Sequence, residues 1–182
     1  MSRLNRFLIP LGLFALLALV LAIGIRNSSD KGMIVSPLLG KPAPQFSLPD
    51  LTDPARLVRS SDLRGHWYLF NVWGTWCGEC RAEHEALLQV RRAGVVPVIG
   101  LDWKDDDAQA RAWLEQLGNP YQSVAVDRSG RAAIDWGVYA APETFLVNPQ
   151  GIVVYKHIGA LTNETWTQQI LPRVSPAPPT KS

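Results

Sequence analysis

The run Trp67–Trp73 (WYLFNVW) passes, after only Gly74-Thr75-Trp76, into Cys77-Gly78-Glu79-Cys80 and then into a stretch of good helix formers that stops at Gly94. A short, nearly continuous apolar run rich in aromatic and β-branched residues is what a strand buried on both faces requires. Leu87, Leu88 and Val90 give the segment from Cys77 to Arg92 its apolar positions. A strand that feeds directly into a helix leaves the first cysteine among unpaired backbone N–H groups, at the positive end of the helix dipole. That placement favours thiolate over thiol. Two intervening residues in a helical turn bring the second sulfur within bonding reach of the first. Cys77 can then attack a disulfide, and Cys80 can resolve the mixed disulfide that results.

Other uses of a CxxC fit less well. Zinc needs four ligands, and the remaining candidates, His66, His84 and His157, have no finger-like spacing. Covalent haem attachment needs His directly after the second Cys, where Arg81 stands. With two cysteines three positions apart, a framework of disulfides closing long loops is excluded. A purely structural pair is the bland alternative, oddly placed at a strand–helix junction. Glu79 puts a negative charge between the sulfurs; to the extent that water does not screen it, it opposes thiolate formation and makes the pair more reducing.

The rest of the chain alternates. Val95–Leu101 is a second buried strand, and Pro97 within it predicts an edge or a bulge. A helix over Asp107–Leu117 ends at Gly118-Asn119-Pro120, a strand follows over Ser123–Asp127, and a short helix runs from about Gly130 to Trp136. Thr144–Val147 and Ile152–His157 flank the turn residues Asn148-Pro149-Gln150-Gly151 as a hairpin, and Thr162–Leu171 closes the domain as a helix capped by Thr162 or Asn163. This order predicts an α/β fold with a central mixed sheet covered by helices. Asp105, Asp106 and Asp107 read as a solvated loop and helix start rather than a metal cage. Pro142 directly precedes a strand, as a cis-proline does when it presents neighbouring backbone to an extended peptide; an ordinary trans loop proline is the alternative.

At the N-terminus, Phe7–Ile25 is uncharged and mostly apolar, behind Arg3 and Arg6. As a helix it rises ~28 Å, close to the ~30 Å hydrocarbon core of a bilayer. A cleaved signal peptide is the alternative, but the run is long for an h-region and Ile23-Gly24-Ile25 is a poor cleavage site. The expected organisation is a membrane anchor over 1–26, a polar linker over 27–37, one domain over 38–172 and a disordered Pro-rich tail over 173–182. The domain would face an extracytoplasmic compartment. A net charge of +2 without long single-sign runs gives no reason to expect a nucleic-acid partner.

Gly40-Lys-Pro-Ala-Pro-Gln-Phe46, Asn71-Val-Trp-Gly-Thr-Trp-Cys77, Cys80-Arg-Ala-Glu-His84, Gly118-Asn-Pro-Tyr121 and Gly137-Val-Tyr-Ala-Ala-Pro-Glu-Thr-Phe145 together resemble the DsbE/CcmG proteins of bacterial cytochrome c maturation. The resemblance covers roughly residues 37–172. It implies a thioredoxin-like three-layer fold and a periplasmic domain held to the inner membrane by one N-terminal transmembrane helix. The implied activity is that of a protein disulfide oxidoreductase acting as a reductant, with no cofactor. Its implied clients are the CxxCH motifs of apocytochrome c, among other maturation proteins, and a membrane electron donor re-reduces it. Carried onto this sequence, Cys77 attacks, Cys80 resolves, Pro142 is the cis-proline, and Glu83 and Glu143 are acidic residues near the active site. Glu83 follows Cys80 by nearly one helical turn and so faces the same way; exposed surface charge is the bland reading of either Glu. Two positions depart from the family pattern. Gly78-Glu79 replaces a Pro and a small polar residue, and Ala140 replaces a Gly, which would strain the loop if that position needs φ > 0. Generic thioredoxins carry a buried Asp six residues before the first Cys; here Asn71 cannot take a proton, so that role passes to another acid such as Glu83. Two rival readings remain: an anchored reductant for another client, such as a copper-site protein, and a metal or haem carrier.

Overall fold

The computed structural model describes residues 10–14, 16–22 and 36–174. The chain divides into two units, Met1–Val35 and Ser36–Ser182. In the first, residues 10–14 and 16–22 are helical, with exposed Leu11, Leu13, Phe14, Leu16, Leu17, Leu19, Val20 and Leu21. Among the described residues no helix is long and apolar enough to cross a membrane. The span expected over 7–25 reaches beyond the described residues at both ends, and most of the expected linker and tail lies outside them.

The second unit is built on a five-stranded mixed sheet. Its strands are β3 (Tyr68–Trp73), β4 (Val98–Trp103), β5 (Ser123–Asp127), β6 (Glu143–Val147) and β7 (Val153–Ile158), in spatial order β5-β4-β3-β6-β7. A separate antiparallel pair, β1 (Ser47–Pro49) and β2 (Leu57–Arg59), precedes them. The β3–β4 and β4–β5 pairings are parallel; β3–β6 and β6–β7 are antiparallel. The helices are α1 (Gly78–Ala93), α2 (Asp107–Leu117) and α3 (Arg131–Asp135).

Every residue of β3 is buried, and strand periodicity divides them between two cores. Leu69 and Trp73 join Leu87 and Val90 of α1, Leu114 of α2, and Trp166 and Ile170. Tyr68, Phe70 and Val72 join Val58, Ala133 and Trp136 on the other side, where Phe70 stacks on Trp136 with ring centroids 4.1 Å apart. The result is the three-layer arrangement expected, with β3 at its centre.

Two expectations are corrected, and one element is new. The second strand begins at Val98, not Val95, and is an interior strand rather than an edge. Pro97 stands just outside the ladder, where its missing N–H costs nothing and its carbonyl accepts from Leu69 N–H at 2.9 Å. The closing helix is capped by Thr162, whose Oγ1 accepts from Thr165 N–H at 3.1 Å. It winds as a π-helix over Thr165–Ile170 and tightens to a 3₁₀ turn over Leu171–Arg173. The β1–β2 pair had no counterpart in the sequence reading, because three-residue strands carry too little periodicity to register.

Candidate active site

The β3–α1 junction carries the two cysteines, joined in a disulfide with Cα atoms 5.3 Å apart. Cys77 is the N-cap of α1, its Sγ accepting from Cys80 N–H at 3.1 Å, while Cys80 lies in the first turn. Gly94 ends the helix in the left-handed conformation, with Arg91 and Arg92 in the last turn where they complement the dipole. In the disulfide form the two cysteines are equally covered, 5% and 4% exposed. What separates them is place: Cys77 stands outside the helix beside exposed Trp76, and Cys80 is one helical turn from Glu83.

The approach to Cys77 is clasped from the β4–α2 loop. Asp105 accepts from Thr75 N–H with one carboxylate oxygen and from Thr75 Oγ1 at 2.7 Å with the other. Trp76 Nε1 donates to the Trp103 carbonyl at 3.1 Å, and the two indoles meet edge to face. Gly74 leaves room for this contact, since a Cβ at that position would lie 2.5 Å from the Trp76 indole nitrogen and would push the ring aside. Asp106 caps α2 by accepting from Ala108 and Gln109 N–H groups. The three acids are thus a loop and helix start, and one of them also reaches the redox site.

Glu83 is 1% exposed, beneath the first turns of α1. Its Oε1 accepts from Asn71 Nδ2 at 2.8 Å and its Oε2 from Leu161 N–H at 2.7 Å. Burial pushes its pKa up to about 7; the two donors hold it down in part, and the Glu79 charge adds to the rise. Asn71 is fully buried and uses its whole amide, donating also to Thr144 Oγ1 at 3.0 Å and accepting from Tyr121 hydroxyl at 2.8 Å. Burial, and then the Glu83 and Asp102 charges, drive the Tyr121 phenol well above its ordinary range. An Asp at position 71 would face Glu83 as a second carboxylate; Asn gives it a donor instead.

The β6 side of the site is the loop before that strand. The Ala141–Pro142 bond is cis. Ala141 packs against the cluster that holds both cysteines, and Tyr139 is 56% exposed. Ala140 does not need φ > 0: among the described residues the one non-glycine with positive φ is Lys104, and the loop's left-handed residue is Gly137. The anticipated strain is absent. Glu143 is fully buried, with Lys156 Nζ 2.8 Å from its Oε2. Among the described residues neither carboxylate oxygen completes a hydrogen bond of ordinary geometry, so the contact with Lys156 is an ion pair. Burial raises the Glu143 pKa, opposed by the Lys156 ammonium and the amides of Tyr139 and Ala140. Both glutamates are therefore interior groups rather than surface charge.

The structure adds residues that the sequence reading passed over. Asp105, Tyr121 and Lys156 reach the site from distant positions, and only folding brings them there. Asp102 is fully buried, and neither of its oxygens has a hydrogen-bond partner among the described residues. Burial, then the Asp105 and Asp107 charges, push its pKa to about 8 against the pull of Arg128. A carboxylate inside the apolar run Val98–Trp103 was the available signal. A cleft of about 610 Å³ lies at the opposite end of β3 against His66, Trp67 and Pro97, away from the sulfurs.

Residues 38–171 match the Redoxin family. The thiol:disulfide interchange protein DsbE of Allochromatium vinosum is 45% identical, over 94% of this chain and 93% of its own length. DsbE of Xylella fastidiosa strain Temecula1 is 48% identical, over 88% and 79%. The crystal structure of a Chlorobium tepidum protein assigned to DsbE superposes with a TM-score of 0.65 at 29% identity, covering 74% of this chain and 96% of that one. With a thioredoxin-like fold, a Cys77–Cys80 couple at a helix N-terminus and relatives of this closeness, the chain belongs to the Redoxin family and, within it, to the DsbE thiol:disulfide interchange proteins, and is a thiol–disulfide oxidoreductase.

Proposed function

We propose that this protein is the reductant that opens the disulfide of the CxxCH haem-attachment motif in apocytochrome c, working at the periplasmic face of the inner membrane. The observation that carries the reductant chemistry is the sealed Glu83 carboxyl one helical turn from Cys80, with a pKa of about 7; the client is what the resemblance to the DsbE/CcmG proteins implies. A dithiol reductant needs a base for its second thiol, and this acid supplies one near neutral pH. The Cys77 thiolate attacks one sulfur of the client disulfide. The client S–S bond breaks, a Cys77–client disulfide forms, and the departing client thiolate takes a proton from water. Cys80 then gives its proton to the Glu83 carboxylate while its sulfur attacks Cys77. The Cys77–client bond breaks, the second client thiolate is protonated, and the Cys77–Cys80 disulfide closes. The client has gained two electrons and two protons. A membrane-bound dithiol donor returns two electrons to the Cys77–Cys80 bond, and Glu83 returns its proton to Cys80.

An extended client segment would lie along the loop of Tyr139 to Pro142, between exposed Tyr139 and exposed Trp76. Residues 7–25 serve as the single-pass anchor, with Arg3 and Arg6 keeping the N-terminus inside. The test is a rate comparison on the reduced protein. A disulfide-bonded CxxCH peptide should be reduced at least about tenfold faster than oxidised glutathione, the margin that specific contacts provide. Equal rates would remove the client assignment and leave the thiol chemistry standing.

A further inference from the structure

Lys156 lies on β7, one of the two edge strands of the sheet, where a lysine ordinarily points into water. Its side chain is instead 5% exposed. A buried ammonium is costly unless charge and donors are matched, so its partners define its role. Nζ is 2.8 Å from Glu143 Oε2 and donates to the Gly137 carbonyl at 3.1 Å. It also stands 5.3 Å from the ring centroid of Tyr139 and 5.0 Å from that of Phe145. All four partners belong to one stretch, residues 137–145. Glu143 in turn faces the backbone amides of Tyr139 and Ala140. One cation therefore ties together the start, the middle and the far end of the loop that carries exposed Tyr139 and the cis bond at Pro142.

We propose that Lys156 is a positioning residue for client recognition: its ammonium, compensated by Glu143, fixes the Gly137–Ala141 loop in the shape against which a client peptide lies. The proposal rests on the reading of that loop as client-facing. Lys156 touches neither sulfur nor client, so it acts on how a peptide docks and not on thiol exchange. A neutral side chain of similar length would fill the space but release the Gly137 carbonyl and leave Glu143 without its counter-charge.

The experiment measures kcat and KM for a disulfide-bonded CxxCH peptide and for oxidised glutathione, in wild type, Lys156→Met and Lys156→Arg. Lys156→Met should raise the peptide KM roughly tenfold with kcat kept, since loosening a docking surface costs binding before chemistry. Its kcat/KM on glutathione should change less than about twofold. Lys156→Arg, which keeps the charge and the donors, should lie closer to wild type than Met does. Because Lys156→Met strands a buried carboxylate, the double variant Glu143→Gln/Lys156→Met is measured beside it and should show the same peptide-selective rise in KM if the single variant does not fold. Amide hydrogen exchange at Tyr139 and Ala140 should be faster in either variant. An unchanged peptide KM, equal losses on both substrates, or unchanged exchange at those amides would overturn the role of Lys156. A wild type that does not prefer the peptide to glutathione would overturn the functional reading, and the client role of the loop with it.

Discussion

Glu83 is a carboxyl whose titration is governed by its surroundings, and those surroundings offer it two donors and almost no water. Its folded pKa of about 7 lies above the ordinary 4.5, so the native state holds a proton that the unfolded state releases. Its contribution to stability is therefore intact below about pH 4.5 and is lost as pH rises to about 7, by about 3 kcal/mol in all. Urea unfolding at pH 5 and pH 8 should show stability falling over this range in wild type and a shallower fall in Glu83→Gln; parallel profiles would contradict the assignment. The same variant should lengthen the life of the mixed disulfide, because Cys80 loses its base. Glu79 is exposed, and its charge adds to the rise at Glu83. Glu79→Gln should therefore move both the Glu83 transition and thiolate formation, followed by absorbance, to lower pH by a fraction of a unit, and the shift should shrink in salt. The link between Cys80 and Glu83 was readable from spacing along one helix. The partners that seal Glu83 were not: Asn71, Tyr121 and Leu161 come from three other segments, and no local pattern announces that they meet.

At the scale of elements, the β4–α2 connection holds the redox site from the side. Asp106 caps α2 with two accepted N–H bonds, so Asp106→Ala should cost about 1 kcal/mol in thermal or urea unfolding and leave thiol exchange unchanged. Asp105→Ala removes both bonds to Thr75 instead. It should speed amide exchange at Thr75 and alter the Cys77 alkylation rate with little loss of global stability. If Asp105→Ala behaved like Asp106→Ala, the clasp would be only part of the helix cap. Helix α2 and strand β5 were legible to the residue, because caps and breakers bracket them. Pro97 misled because a proline within an apolar run reads as a sheet edge, whereas here the strand simply begins one residue later. The π-wound closing helix had no signal at all: its apolar residues fit α-helical spacing equally well.

For the whole molecule, sequence and structure agree on a three-layer domain with the couple at the end of a strand buried on both faces, and the structure puts that strand, β3, at the centre of the sheet. Deleting residues 1–26 should move the protein from the membrane to the soluble fraction without altering its rate on oxidised glutathione, since the Cys77–Cys80 site and its partners lie within residues 36–174. Continued membrane association of the truncated chain would count against the anchor. The proposed chemistry divides the labour between two sulfurs that the disulfide form covers equally, with Cys77 attacking and Cys80 resolving. Cys80→Ser and Cys77→Ser are mixed separately with a disulfide-bonded CxxCH peptide, and the covalent adducts are mapped by mass spectrometry. A stable mixed disulfide through Cys77 in Cys80→Ser and little adduct in Cys77→Ser are expected; equal trapping by both variants, or trapping through Cys80 alone, would overturn the assignment of attacker and resolver.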